Sequence, residues 1–444
     1  MNNQLAKNFH ALSLLKFAAP TTMMLIFMSL YQMVDGVFVA NFVGETALSA
    51  LNIVYPIPSI VIALSIMLST GGSAIIARNM GEGKNQEAKE NFSLILCVGL
   101  VLGLIVLVLG TIFLSPLIHL LGATPNLYQY CHDYLQVLIL SAPLAVFQML
   151  FQTFFVTAGK PYLGLTLTVI GGLSNIVLDY LFIAVYGWGV RGAAIATSIG
   201  YAVPAIFGLF YFALCRTGTL FIIKPVFRWK VLLHSCANGS SEMVNNLAIA
   251  VTTFLFNTLM LKYAGESGVA AITIVLYAQF LMTSLFIGFS SGIAPIISYN
   301  YGRQNHEQLQ NLFRISMRTI AVFSVLIYVL SWLLASTIIQ VFAPMGSELF
   351  ELTKHGFYLF SISFLFTGFN IFASAMFTAF SDGKVSAILS LMRTFVFLII
   401  CLMVLPLFLD VDGVWLAVPV AELLALMVSI YYLVTLRHTY HYHS

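Results

Sequence analysis

The chain of 444 residues is 60% hydrophobic and only 8% charged, with a formal net charge of +3. An average soluble protein carries about 25% charged residues, so the composition excludes a water-soluble fold of this length. In a membrane protein the distribution of Lys and Arg between loops is more informative than their sum, and we expect no nucleic-acid partner.

About twelve apolar runs are long enough to cross a bilayer, which needs roughly 20 residues. The first run is too long for a cleavable signal peptide and contains Pro20 and Asp35, so we expect it to be retained as a helix. The pattern predicts an all-α integral membrane protein with twelve transmembrane helices. In chain order the predicted spans are 14–37, 47–77, 93–118, 133–157, 162–186, 191–215, 236–261, 269–299, 315–341, 355–380, 385–408 and 413–436.

Basic residues alternate between the predicted loops. If both termini are cytoplasmic, sixteen of the Lys and Arg residues lie on the inner side and only Arg191, Lys262 and Lys354 on the outer side. This is the positive-inside bias of a multi-pass protein with an even number of spans. We therefore expect both termini in the cytoplasm.

The second half of the sequence repeats the first. At an offset of 221 residues, thirteen of thirty-eight positions between 44 and 81 are identical, including Gly44 on Gly265 and Gly81 on Gly302. Further on the offset becomes 224, pairing Gly159 with Gly383. Six spans per copy is an even number, so both copies have the same orientation, as in parallel-repeat transporters. We predict two six-helix lobes, residues 1–215 and 236–444, with a basic cytoplasmic linker at 216–235.

The motifs present favour transport over catalysis. Neither Gly-Lys pair has the glycine and Ser/Thr of an ATP-binding loop, so an ion gradient is the expected source of energy. HExxH, GxGD and GxSxG motifs are absent from the sequence, and we expect neither enzymatic activity nor a cofactor. The five cysteines are scattered and predict no disulfide framework or metal site.

Charged residues within predicted spans are the first candidates for a functional site, because a buried carboxylate costs about 3 kcal/mol or more there. The four acids are Asp35, Asp179, Glu242 and Glu422. Asn175 shares a helix face with Asp179, and Thr197 begins the next span. These groups offer oxygen ligands for Na+, or two carboxyls that share a proton. Glu242 and Glu422 remain secondary candidates.

A site for lipophilic cations should combine aromatic rings, thioethers and amides near a carboxylate. The predicted first helix offers Met28, Tyr31 and Gln32 beside Asp35. The predicted fourth helix offers Gln148, Phe151 and Gln152, whose amides would be costly against lipid. We predict that these six residues bind substrate, although most aromatic rings in a membrane protein face lipid or neighbouring helices.

The pattern Pro20…Tyr31-x-x-x-Asp35, the pair Asn175-x-x-x-Asp179 and Thr197 resemble the multidrug and toxic compound extrusion (MATE) family. The resemblance covers the whole chain and is closest to bacterial members with acids in the amino-terminal lobe. It implies a V-shaped pair of lobes and export of amphiphilic, often cationic, compounds in exchange for H+ or Na+. The implied coupling cluster comprises Asp35, Asn175, Asp179 and Thr197.

The remaining expectations follow from this resemblance. The protein should be a monomer in the bacterial inner (plasma) membrane, in contact with lipid and small-molecule substrates, with Pro20 as a hinge in the first helix. Relatives coupled to sodium pair an acid at the position of Glu242 with one in the tenth helix, where this chain has only neutral candidates such as Asn370. The alternative function is a flippase for a lipid-linked precursor, which would need cationic residues in its cleft; Arg393 is the candidate.

Overall fold

The computed structural model describes residues 4–442, except for the side chains of Gln32, Met33, Asp35, Gly36, Val37, Ala40 and Glu45. Every regular element in that range is helical. The helices of the first half are α1 (Ala11–Phe42), α2 (Glu45–Val54), α3 (Pro56–Gly81), α4 (Asn85–Ile112), α5 (Leu114–Leu120), α6 (Pro125–Leu140), α7 (Ala142–Thr157), α8 (Pro161–Asp179) and α9 (Gly189–Leu214). Those of the second half are α10 (Trp229–Gly302), α11 (His306–Gln340), α12 (Glu348–Ser361), α13 (Phe364–Ala379), α14 (Gly383–Leu391), α15 (Leu398–Val404) and α16 (Pro406–Thr435).

Several predicted spans are broken helices. Helices α6 and α7 meet at a bend of 56°, and α12 and α13 meet at a bend of 49°. Two spans contain a π-helical turn: Tyr180–Val185 extends α8, and Met392–Phe397 joins α14 to α15. Such turns widen the helix locally and are frequent at functional sites.

Helix α10 contains 74 residues, which corresponds to about 110 Å at 1.5 Å per residue. A hydrocarbon core of about 30 Å cannot hold such a helix as one span. The backbone departs from helical geometry at Gly265, with φ 65° and ψ −157°. Among the described residues nine helices are long and apolar enough to cross a membrane, or eleven when each bent pair counts as one span; this count treats α10 as a single helix.

Only the first part of the predicted linker, 216–235, lacks helical structure. It is non-helical as far as Arg228, and α10 begins at Trp229. Arg228 contacts Glu90 of α4 at 2.7 Å, and the backbone N–H of Ile223 donates to Ser93 Oγ at 2.9 Å. The linker is therefore fastened to the first half of the chain before α10 begins.

Among the described residues, one hydrophobic core joins the two halves, and it includes the end of the molecule where α3 and α10 finish. The largest cluster of buried side chains combines residues of both halves, such as Met80 and Phe92 with Ile297 and Leu309. The other clusters each belong to a single half; the one around Trp415, for example, lies wholly in the second. The joined end carries the basic turns after α3 and α10, so we name it the basic end.

Glycine allows the backbones of the two halves to touch at the basic end. A Cβ at Gly81 would lie 2.0 Å from the carbonyl oxygen of Tyr299, and one at Gly302 would lie 2.2 Å from that of Arg78. Gly81 and Gly302 are partners at the 221-residue offset, so the same contact is made twice, once from each half. A side chain at either position would push the ends of α3 and α10 apart.

Polar contacts accompany this closure. The guanidinium of Arg78 lies over the ring of Tyr301 at 5.2 Å, which is a cation–π contact between the halves. Arg78 also bonds to Glu82 at 2.9 Å. Partial burial acts to raise the pKa of Glu82, but hydrogen bonds from Lys84 and Arg78 outweigh it, so that this pKa is lowered.

Candidate functional site

The first polar cluster lies where α8 approaches α9. Asn175 and Asp179 are four residues apart on α8, 2% and 0% exposed respectively. The amide of Asn175 donates to Thr197 Oγ1 of α9 at 3.5 Å, and Thr197 Oγ1 donates to the carbonyl of Ala193 at 3.0 Å. The structure therefore places Asn175 beside Thr197, with Asp179 buried one helical turn further along α8.

Two glycines explain why these helices come so close. A Cβ at Gly171 of α8 would lie 2.7 Å from the carbonyl oxygen of Gly200 in α9. Asn175 follows Gly171 by one helical turn, so the close approach also brings its amide to Thr197. The π-helical turn that begins at Tyr180 directly follows Asp179.

The predicted partners on α1 are only partly described. The α1 backbone continues through Gln32 and Asp35 to Phe42, but the side chains of both residues lie outside the described residues. Tyr31 is described and half-buried; a Cβ at Gly172 of α8 would lie 2.9 Å from its ring. The helix is also unbroken at Pro20, the predicted hinge.

A buried group of thioethers and an amide lies where α1, α7 and α8 meet. The amide nitrogen of Gln152 on α7 lies 3.3 Å from Met28 Sδ and 3.3 Å from Thr168 Oγ1. Met24, Met28 and Met149 are buried together, and Tyr31 packs against them. Met24, Met149 and Thr168 were not among the residues predicted from the sequence. For Met24 the spacing of one helical turn from Met28 was an available signal.

Gln148 and Phe151, both predicted to bind substrate, have different surroundings. Gln148 is 2% exposed, and within the described residues its Oε1 atom has no hydrogen-bond partner. Phe151 is fully buried and stacks on Phe147 and Phe212, and a Cβ at Gly208 would lie 2.5 Å from its ring. Successive residues of a helix point about 100° apart. Phe151 therefore points into the core beside α9, whereas Gln152 points towards Met28. A substrate contact for Phe151 stays a prediction that this packing does not favour.

The second half holds a cluster of unlike composition. Arg393, on the π-helical turn, contacts Glu422 Oε1 of α16 at 2.8 Å through its Nε atom. Asn370 of α13 donates to Glu422 Oε2 at 2.7 Å, and Ser429 donates to Asn370 Oδ1 at 2.8 Å. Within the described residues, Glu242 of α10 forms no hydrogen bond or ion pair with this cluster. Arg393 and Glu422 were each candidates from the sequence, but their ion pair was not predicted, although opposite charges inside two apolar spans were a usable signal.

The two clusters differ in what they can do chemically. Carboxylate, amide and hydroxyl oxygens, as in Asp179, Asn175 and Thr197, suit a hard cation or a proton. In the second half the carboxylate of Glu422 is already held by Arg393 and Asn370. The fixed positive charge of Arg393 beside the carboxylate of Glu422 opposes the binding of a cation there.

Comparison with known proteins gives the family. The model of the MatE family matches two segments, residues 20–181 and 243–403, one in each half. "Multidrug export protein MepA" of Staphylococcus haemolyticus is 24% identical over 425 residues, covering 92% of this chain and 91% of the relative. The homologous protein of Staphylococcus saprophyticus is 24% identical over 367 residues, covering 80% and 79%. A protein named "FAD transporter" from Shewanella oneidensis is 26% identical over 427 residues, covering 91% and 89%.

Solved structures share the fold. A MATE crystal structure in the straight conformation superposes with a TM-score of 0.93 at 22% identity, covering 99% of both chains. The bent conformation gives 0.89, covering 98% of both chains. Since the family model matches most of the chain, and both halves of it, this protein belongs to the MatE family of membrane transporters, the multidrug and toxic compound extrusion family that its sequence resembles.

Proposed function

We propose that this protein is a secondary active antiporter that exports amphiphilic, often cationic, compounds across the bacterial plasma membrane in exchange for H+ or Na+. The observation that carries the proposal is the buried carboxylate of Asp179 in a helix of membrane-spanning length, one turn from Asn175, which donates to Thr197 of the next helix. An acid retained at such a cost is expected to lie on an ion pathway. The names of the staphylococcal relatives point to the same activity.

The proposed architecture has twelve spans in two lobes, 1–215 and 236–444, joined by the linker 216–235. Two findings support it. The break at Gly265 divides α10 into two helices of membrane-spanning length, which raises the count of eleven to twelve. The family model matches once in each half. With both termini cytoplasmic, the basic end is the inner one, and the halves separate towards the outside.

The proposed mechanism couples the ion to the lobes. In the outward-facing state, H+ or Na+ binds at Asp35 and Asp179, with Asn175 and Thr197 completing the oxygen donors. Binding repositions α1 about Pro20, reshapes the pocket around Met28 and Gln152, and displaces the substrate outwards. The lobes then rock and open the basic end. Each charge moved contributes about 2.3 kcal/mol per 100 mV of membrane potential.

Inverted membrane vesicles test the coupling. A fluorescent lipophilic cation should accumulate in vesicles that contain the protein, and collapsing the proton and sodium gradients separately identifies the ion. Asp179→Asn should lower gradient-driven accumulation to that of vesicles without the protein, and Asp35→Asn should do the same. The matched control is Asp133→Asn, a half-buried acid of α6 bonded to Gln129, which should leave accumulation unchanged. Full accumulation by Asp179→Asn would refute the assignment.

A second candidate function is export of an anionic flavin dinucleotide. It is favoured by the positive charge of Arg393 within a span and by the name of the Shewanella relative. Accumulation of FAD in the same vesicles, with riboflavin as the uncharged comparison, tests it directly. None of the relatives named above is a flippase for lipid-linked precursors, and we do not propose that activity.

A further inference from the structure

The Arg393 side chain uses only part of its hydrogen-bonding capacity. Its Nε atom donates to Glu422 Oε1 at 2.8 Å, whereas an Arg–carboxylate pair built for strength is commonly bidentate, with two parallel N–H bonds. The second oxygen of Glu422 is held by Asn370 at 2.7 Å instead. Asn370 in turn accepts a hydrogen bond from Ser429. Together, Asn370 and Ser429 hold the carboxylate of Glu422 so that it faces the Nε edge of the guanidinium.

The other end of the guanidinium remains available. Within the described residues no acceptor is hydrogen-bonded to Nη1 or Nη2 of Arg393, and neither atom is among the buried polar atoms that lack a partner. Both nitrogens therefore reach the accessible surface, although the side chain as a whole is only 15% exposed. A planar fork of donors in this setting matches a carboxylate or a phosphate.

A purely structural ion pair explains these observations less well. Burying charges to hold α16 against the π-helical turn is no more stabilising than apolar packing of the same size, and a charge inside a membrane span is costly. The repeat gives a direct comparison. At the 224-residue offset Arg393 falls on Val169 and Glu422 on Ser198, and the first half packs there without an ion pair.

We propose that Arg393 is an anion subsite in the second half, which binds the acidic group, carboxylate or phosphate, of an amphiphilic substrate. Glu422 and Asn370 are positioning residues that hold the guanidinium by its Nε edge and leave the fork free. The inference rests on the proposed function, because it takes the exported compound as the ligand.

Matched pairs of ligands test the subsite. The purified protein in lipid nanodiscs is titrated with a carboxyrhodamine zwitterion and with its methyl ester, and dissociation constants are measured by fluorescence anisotropy. The double variant R393Q/E422Q removes both charges and leaves no unpaired ion. It should weaken binding of the carboxylate dye by roughly tenfold, as expected for one charge-assisted hydrogen-bonded contact. Binding of the ester should change by less than about threefold.

Two further variants keep the test decisive. R393K retains the ion pair with Glu422 but lacks the planar fork, and it should lose the same discrimination even if the double variant fails to fold. R318Q removes a positive charge from the exposed face of α11 and should bind both dyes as the unaltered protein does. If R393K and R393Q/E422Q bind both dyes with unchanged affinities, or weaken both equally, the subsite is refuted.

A second ligand pair identifies the acid. Flavin mononucleotide and riboflavin differ by one phosphate, and their intrinsic fluorescence reports binding. Loss of discrimination in the rhodamine pair alone assigns a carboxylate, and loss in the flavin pair alone assigns a phosphate. Transport of the ester dye into inverted vesicles distinguishes a failure of the proposed export function from a failure of the Arg393 subsite. Absence of its export by the unaltered protein would overturn the proposed function, whereas export together with unchanged discrimination in R393K would overturn only the subsite.

Discussion

Gln148 and Gln152 lie one helical turn apart on α7, but only one of the two amides is satisfied. Gln152 donates to Met28 and Thr168, whereas the Oε1 atom of Gln148 is buried without a partner among the described residues. An unpaired buried acceptor costs about 1–3 kcal/mol. Such a cost is expected where a ligand supplies the missing hydrogen bond.

Replacing Gln148 with Met should therefore separate stability from binding. The substitution keeps the volume similar and removes the unpaired acceptor, so the melting temperature should rise by a few degrees at most, as expected for about 1 kcal/mol. Affinity for exported dyes should fall. Gln152→Met is the comparison and should lower the melting temperature, because it removes satisfied hydrogen bonds. Unchanged dye affinity in Gln148→Met would assign Gln148 a packing role.

The sequence could predict those site residues that lie on one helix, and fewer of those that meet across helices. The pair Asn175 and Asp179 follows from spacing alone, because residues four apart share a helix face. Arg393 and Glu422 are 29 residues apart in the chain and lie on different helices. They meet only because each helix is rotated about its axis so that these side chains face each other, and an apolar span gives little sequence pattern from which to predict that rotation. Phe151 illustrates the same gap, since only its packing against α9 distinguishes it from Gln152.

At the scale of elements, the duplication is visible in the backbone. Gly44 and Gly265, partners at the 221-residue offset, both adopt positive φ with nearly extended ψ, at 115° and 173° and at 65° and −157°. Gly83 and Gln304 share positive φ at the same offset, and Gly122 and Gly346 share it at 224. The sequence analysis identified the first pair from residue identity. The correspondence of Gly83 and Gln304 could not be predicted from residue identity, because the positive φ is kept although glycine is replaced by glutamine.

Other elements departed from prediction where a local backbone feature interrupts an apolar run. Gly159 was paired with Gly383, but the structure places positive φ at Gly159 and Ser381, so this turn is shifted by two residues. Gly383 instead allows contact with α10, since its Cβ would lie 2.4 Å from the Cα of Asn238. The bend between α6 and α7 was also missed, because hydropathy does not register a bend within a continuous apolar segment.

Gly265→Ala should test the break in α10 as a backbone effect alone. No atom lies within 4 Å of a Cβ at Gly265, so the substitution creates no clash, but its φ and ψ are essentially restricted to glycine. We expect a loss of about 1–3 kcal/mol in stability, measured as a lower melting temperature in detergent. The control is Gly218→Ala, where φ is not positive and the nearest atom is 3.5 Å away. Equal melting temperatures for both variants would contradict this account.

At the scale of the whole molecule, the halves are held at the basic end by backbone contact. The Gly81 and Gly302 contacts are reinforced by a second pair, in which a Cβ at Gly71 would lie 1.9 Å from Ser235 O and one at Gly239 would lie 1.9 Å from Met67 O. The amino-terminal segment also connects the halves, because the carbonyl of Phe9 accepts hydrogen bonds from Gln308 and Asn311 of α11. Sequence identity at Gly81 and Gly302 suggested the repeat but gave no sign of which end is closed, because one sequence must fit both states of a transporter.

Gly81→Leu should shift the balance between these states. Its side chain would occupy the space of the Tyr299 carbonyl, so the basic end should close less completely and the population open at that end should grow. Spin labels on α3 and α10 near the basic end, read by double electron–electron resonance, should show a longer distance, and dye export should fall because the cycle needs both states. Gly99→Leu is the control, since Gly99 faces the Leu150 side chain within the first half and should alter stability without lengthening that distance. An unchanged distance distribution in Gly81→Leu would mean that glycine contact does not hold the basic end closed.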